Sequence, residues 1–193
     1  VGDDLLQEEL LRELELPSGV REVGFRPLHG GFGGQAGEQR LVEAAAPAAV
    51  MGEHAECLQH LAMLAGALEI AHNVPTRAPR GIALVAHPHP LQGGTLDNKV
   101  AQTLAKTFFA LGYAAVRFNF RGAGASEGAF DEGRGETDDA LAALAHARSR
   151  LAHGAALPVA LAGFSFGSFV QTRVREAVDA ERLVLVGPAV NRF

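Results

Sequence analysis

From Gly81 onward, apolar runs and amphipathic stretches alternate at a regular spacing. Gly81–Ala86 (GIALVA) is a continuous apolar run, the pattern of a strand covered on both faces. From about Asp97 to Leu111, Val100, Leu104, Phe108 and Leu111 recur at helical spacing, which predicts a helix with one buried stripe, stopped by Gly112. Tyr113–Phe120 reads as a second strand, followed by a glycine-rich loop to Gly135. A second helix is predicted from near Thr137, with Asp138 and Asp139 at the positive end of its dipole and Ala140, Leu144, Ala147 and Leu151 as its buried stripe. Pro158–Ala162 is a third strand, and the helix after Ser165 buries Val170, Val174, Ala177 and Val178. Arg182–Val186 is a fourth strand, before Gly187-Pro188 turns the chain away. Strand and helix in this alternation predict right-handed crossovers. The expected class is α/β, a doubly wound, mostly parallel sheet with helices on both faces.

Upstream, Cys57–Met63 and Ala67–Ala71, with Ala65-Gly66 between them, predict a hairpin on the sheet edge, and Val74–Pro79 reads as a linker. Residues 1–53 look different. Asp3–Leu16 is an acidic amphipathic helix candidate with Leu6, Leu10 and Leu14 on one face, ended by Pro17. A glycine-rich segment, Gly30–Gly37, and an Ala-rich stretch, Ala44–Ala49, show no sustained period. We expect residues 1–53 to be an N-terminal extension, poorly ordered or begun ahead of a true start at Met51, and residues 54–193 to form the domain.

Composition narrows the class. With 193 residues, 48% apolar and 20% charged, the chain is sized for one buried core. No apolar run approaches the ~18–20 residues of a transmembrane helix, and Val1-Gly2-Asp3-Asp4 does not open a signal peptide. The single cysteine, Cys57, excludes an internal disulfide framework and reads as a small apolar residue rather than a reactive thiol. A net charge of −5 without a Lys/Arg run argues against nucleic acid. The expectation is a cytoplasmic protein with neither membrane nor nucleic-acid partner, its oligomeric state not readable.

The chemistry centres on Gly163-Phe164-Ser165-Phe166-Gly167, set between the third strand and a helix. G-x-S-x-G at that junction is a nucleophile elbow, a strained turn that lifts the serine hydroxyl above the sheet. Gly124-Ala125-Ser126-Glu127-Gly128 fits the same string but runs on into a loop. Lacking a helix behind it, Ser126 is set aside. An oxyanion hole needs the N–H of the residue after the nucleophile, Phe166, and a second from the loop after the first parallel strand, His87–Gly94. Pro88 and Pro90 have no N–H, so His89 or Leu91 remains, and His89 lies nearer the strand end. The H-x-H spacing of His87 and His89 invites a metal, yet no third ligand stands near. Gly122-Ala123-Gly124 resembles part of a dinucleotide fingerprint, but no helix opens from it. Neither metal nor cofactor is expected.

Four stretches carry a family resemblance: Ala86–Lys99 (AHPHPLQGGTLDNK), Val116–Gly128 (VRFNFRGAGASEG), Asp131–Thr137 (DEGRGET) and Ala162–Ser168 (AGFSFGS). In this order they resemble small bacterial α/β-hydrolases, serine hydrolases of the dienelactone-hydrolase and prolyl-oligopeptidase-like group. The resemblance runs from about Glu56 to the end and leaves out residues 1–53. It implies a Ser–His–Asp triad acting on a small-molecule ester, thioester or amide acyl group, with Ser165 as nucleophile and Phe166 as oxyanion donor. The triad runs Ser…Asp/Glu…His in this fold. Here only Glu176, Asp179 and Glu181 are acids after Ser165, and all eight histidines precede it. His87 or His89 would stand on the oxyanion side rather than the base side. The expectation is therefore that residues 54–193 are a partial α/β-hydrolase domain lacking its last strands, C-terminally truncated and weak or inactive as it stands. The alternative is a non-enzymatic α/β module that pairs through the exposed Arg182–Val186 edge.

Overall fold

The computed structural model describes residues 66–189 and the backbone of residues 39–44. The helix expected over residues 3–16 and the hairpin arm expected over 57–63 lie outside the described residues. Six strands form one sheet among the described residues: β1 (Gln39–Ala44), β2 (Ala67–Asn73), β3 (Ile82–Ala86), β4 (Ala114–Phe118), β5 (Val159–Phe164) and β6 (Ala180–Val186). Their spatial order is β1-β2-β4-β3-β5-β6. β3 runs parallel to β4 and β5, β5 runs parallel to β6, and β2 runs antiparallel to β1 and β4. Three helices cross between strands: α1 (Lys99–Ala110), α2 (Arg134–Arg150) and α3 (Phe166–Ala177).

The apolar runs are continuous because both faces of the central strands are covered. Ile82, Leu84 and Ala86 point with Val116, Phe118, Val159 and Leu161 toward Ala140 and Leu144 of α2 and Val170 and Val174 of α3. Ala83 and Val85 point the other way, with Ala115, Ala160 and Ala162, onto Ala101, Ala105 and Phe108 of α1. Neighbouring strands β3 and β5 therefore send their chains to opposite faces, through α1 and α3. In an open α/β sheet, a crevice opens at the carboxyl ends of such a pair.

Several expectations shift in detail. α1 starts after Asn98, whose Oδ1 accepts from the N–H groups of Val100 (2.9 Å) and Ala101 (3.4 Å). Phe108 is buried and Leu104 partly buried as expected, but Ala101 and Ala105 complete the fully buried stripe, and Leu111 is 54% exposed. Small side chains sit where the helix comes closest to the sheet. α2 starts at Arg134, ahead of Thr137, because Glu136 reaches back to the N–H groups of Asp131 (2.8 Å) and Gly133 (2.7 Å). β2 pairs antiparallel with β1, from Gln39↔His72 to Ala44↔Ala67, so part of the expected N-terminal extension is an edge strand of the sheet. The segment QRLVEA has only Leu41-Val42 as large apolar residues, too short a pattern to reveal its pairing.

Leu84 is wholly buried at the centre of the sheet. Leu84→Ala should lower unfolding free energy by about 2–5 kcal/mol, whereas Leu111→Ala should change it by less than about 0.5 kcal/mol. Denaturant titration of both variants measures the contrast; equal losses would contradict this core assignment.

Candidate active site

At the end of β5, Ser165 adopts φ 54° and ψ −115°, and α3 begins at the next residue. A positive φ at a non-glycine residue with this ψ is sparsely populated and stores strain of order 1–3 kcal/mol. The surrounding hydrogen bonds hold it. Ser165 N–H donates to Val186 O (2.9 Å), and Ser168 Oγ bonds to Gly163 O (2.8 Å) and Val186 O (3.0 Å). Gln171 Nε2 donates to Leu84 O (3.0 Å) and Ala162 O (3.1 Å), tying α3 to both central strands. The two flanking glycines are required by space. A Cβ at Gly163 would enter the backbone of Gly167 and Ser168, and one at Gly167 would enter the carbonyl oxygens of Ala86 and His87.

The loop after β3 meets this turn. The His89 ring lies 4.7 Å from that of Phe130 and 5.0 Å from that of Phe166, so the two residues expected to donate to an oxyanion are brought together beside Ser165. His89 also caps a short turn of 3-10 helix, Pro90–Gln92, its Nδ1 accepting from Leu91 N–H (3.2 Å). That bond commits the amide of the rival donor, Leu91, whose side chain is 72% exposed. Gln92 and Gly94 both donate to His89 O at 3.1 Å, closing the loop on itself.

His87 and Ser126 turn out to be structural. His87 is fully buried; its Nε2 accepts from Phe120 N–H (3.1 Å), which leaves Nδ1–H to donate to Pro88 O (2.6 Å). Burial lowers its pKa to about 4, the Pro88 bond only partly offsetting this. Both ring nitrogens are occupied, so His87 is poorly placed to ligate a metal or to act as base. Among the described residues no three His, Cys, Asp or Glu side chains gather into a metal site. Ser126 Oγ accepts from Glu69 N–H (3.0 Å) and donates to Asn119 O (2.8 Å), joining β2 to the loop after β4.

Sequence reasoning missed the polar frame around these loops. Glu69 Oε2 accepts from Asn119 Nδ2 (2.6 Å) and Ala125 N–H (2.9 Å), and Asn119 Oδ1 accepts from Leu96 N–H (2.7 Å). Arg121 pairs with Asp139 through Nε (3.1 Å) and Nη2 (2.8 Å), and its own N–H adds a third contact (2.8 Å). Desolvation pushes Asp139 up to about 6 against the pull of Arg121. Asp139, expected to serve the dipole of α2, instead anchors the loop after β4. The available signal was the glycines: a Cβ at Gly135 would strike the Arg121 guanidinium, and one at Gly124 would strike Asn119 and Glu69.

The acids after Ser165 are not brought to it. Glu176 lies in the last turn of α3, separated from Ser165 by roughly 15 Å of helix rise. Asp179 is exposed beside Arg175 (3.8 Å), and Glu181 accepts the Tyr113 hydroxyl at the opposite end of the sheet.

Two variants separate the look-alike serines. Ser126→Ala leaves the buried Glu69 N–H without its acceptor and should cost about 1–3 kcal/mol, whereas Ser165→Gly relieves a positive φ and should stabilise by about 1 kcal/mol. Denaturation curves read both signs; stabilisation by Ser126→Ala would contradict the assignment. The depressed pKa of His87 makes its contribution complete above about 6.5 and lost as pH falls through about 4. The stability gap between the protein and a His87→Phe variant should therefore narrow on acidification from pH 7, followed by denaturation at each pH; a widening gap would contradict it.

Comparison with known proteins agrees with this architecture. The family profile of the X-Pro dipeptidyl-peptidase (S15 family) matches residues 67–190. An uncharacterized protein of Rickettsia prowazekii is 38% identical over 135 residues, covering 66% of this chain and 49% of that protein. An α/β serine hydrolase homologue from Coxiella burnetii is 40% identical with a TM-score of 0.61, over 66% of this chain and 60% of its own. A Xanthomonas campestris protein, described as an α/β serine hydrolase without a lid, is 36% identical with a TM-score of 0.62, over 67% and 59%. The chain thus spans about half the length of the curated relative and about 60% of these two solved ones.

Proposed function

This chain belongs to the α/β-hydrolase superfamily, within the X-Pro dipeptidyl-peptidase (S15) family, and from that premise we propose that Ser165 is the nucleophile of a serine hydrolase acting on an ester, thioester or amide acyl group. One observation carries the reading: a serine at φ 54° between a central strand and a helix, beside the loop of the neighbouring strand. In this reading Ser165 Oγ attacks the acyl carbon, and the carbonyl electron pair moves onto oxygen. The N–H groups of Phe166 and His89 hold that oxyanion. A general base takes the Ser165 Oγ proton during that attack. Collapse then expels the leaving group, which receives the same proton from the protonated base, and water frees the acyl group through the same sequence. The partly buried Phe130 beside His89 supplies an apolar wall for the acyl chain.

The base and its orienting acid, in our proposal, lie in sequence following Phe193. All eight histidines precede Ser165, and both ring nitrogens of His87 are engaged in the loops it joins. The share of the solved relatives that this chain spans supports the same view. By this proposal the 193-residue chain alone is weak or inactive, since loss of a triad histidine costs roughly 10⁴–10⁶ in turnover.

A chain extended past Phe193 should hydrolyse a p-nitrophenyl ester, with Ser165→Ala lowering turnover at least about 10³-fold. A fluorophosphonate probe should mark Ser165 quickly in the extended chain and slowly in the 193-residue one. Undiminished turnover in Ser165→Ala would overturn the assignment. An extended chain that neither turns over ester nor labels would favour the binding-module reading, in which the edge of β6, with its exposed Leu183, pairs with another strand.

A further inference from the structure

His87 reaches the candidate oxyanion amide from behind. Pro88 C=O and His89 N–H belong to one peptide group, and no described peptide bond is cis. In a trans peptide the two bonds point in opposite directions, so whatever holds the carbonyl aims the N–H. Pro88 O is held by His87 Nδ1 at 2.6 Å, which directs the His89 N–H away from the buried ring.

The rest of the loop leaves that peptide one way to turn. The Pro88 ring locks the φ of residue 88. Pro90 holds the residue before it in an extended ψ, and His89 has φ −52° and ψ 121°. What remains is rotation of the 88–89 peptide about the ψ of Pro88 and the φ of His89. The His87 bond blocks it. Phe120 N–H, in turn, makes Nδ1 the protonated nitrogen by occupying Nε2 (3.1 Å), and full burial keeps the ring neutral.

We propose that His87 is a positioning residue: through Pro88 O it fixes the orientation of the His89 amide and, by polarising the shared peptide, strengthens that N–H as an oxyanion donor. The inference rests on reading His89 as the second oxyanion donor. It assigns a task to the first histidine of the H-x-H pair, which neither a metal nor a triad uses.

Two conservative substitutions separate the two bonds of the ring. His87→Asn puts an amide nitrogen where Nδ1 was, able to donate to Pro88 O but too short for Phe120. His87→Gln puts an oxygen where Nε2 was, able to accept from Phe120 N–H, but its amide nitrogen sits on Cδ and places no donor at the Nδ1 position facing Pro88 O. In the chain extended past Phe193, kcat, KM and thermal midpoint should be measured for both variants and for Ser165→Ala. His87→Gln should keep the higher midpoint yet lose roughly 10–10² in kcat at little-changed KM, and His87→Asn should keep kcat within about threefold. The reverse pattern, with Gln active and Asn not, would overturn the proposal, as would equal kcat in both. Wild-type turnover in Ser165→Ala would instead defeat the hydrolase reading. The carbon-13 resonance of the Pro88 carbonyl and the His89 amide proton shift then decide on His87 alone. Both should move in His87→Gln and stay near their native positions in His87→Asn, and unmoved resonances in His87→Gln would overturn the role.

Discussion

The site depends on one close approach, where the first turn of α3 rests on the end of β3. Gly167 lies so near the carbonyl oxygens of Ala86 and His87 that no side chain fits between them, and Ala86 pairs in register with Gly163 one strand over. This contact sets the distance between the serine turn and the loop that begins at His87. The strain at Ser165, of order 1–3 kcal/mol, is borne by several surrounding hydrogen bonds worth about 1 kcal/mol each. Among them the Gln171 side chain is notable, because one amide nitrogen reaches carbonyls on both β3 and β5.

The alternation of strands and helices was legible in the sequence from Gly81 onward, because strands buried on both faces leave continuous apolar runs. Context also separated Ser165 from Ser126: the same five-residue string leads into α3 at one site and into a loop at the other. The stripe of α1 was read correctly at Phe108 but missed Ala101 and Ala105, because close packing against a sheet favours small residues over larger neighbours. The pairing of β1 with β2 was hidden because a short edge strand leaves almost no period of its own.

The polar frame was the least legible part, and for a physical reason. Ser126 bonds to Glu69 across 57 positions, and Arg121 bonds to Asp139 across 18. Neither spacing has a local signature. Buried polar groups must find partners, so such residues look like surface residues until the fold is known. The glycine-rich loop after β4 is a case in point. Its Gly122-Ala123-Gly124 resembles part of a dinucleotide fingerprint, whereas Gly124 makes room for the side chains of Asn119 and Glu69, as Gly135 in the first turn of α2 does for Arg121.

The serine turn draws its support from both directions along the chain. Its amide is held by Val186 downstream, and the helix behind it is pinned to Leu84, 87 residues upstream of Gln171. Left to its own sequence, the pentapeptide would relax to an ordinary backbone conformation. The strained turn is thus held only where β3, β5 and β6 lie beside one another. A nascent or partly unfolded chain carries the five residues without carrying the elbow.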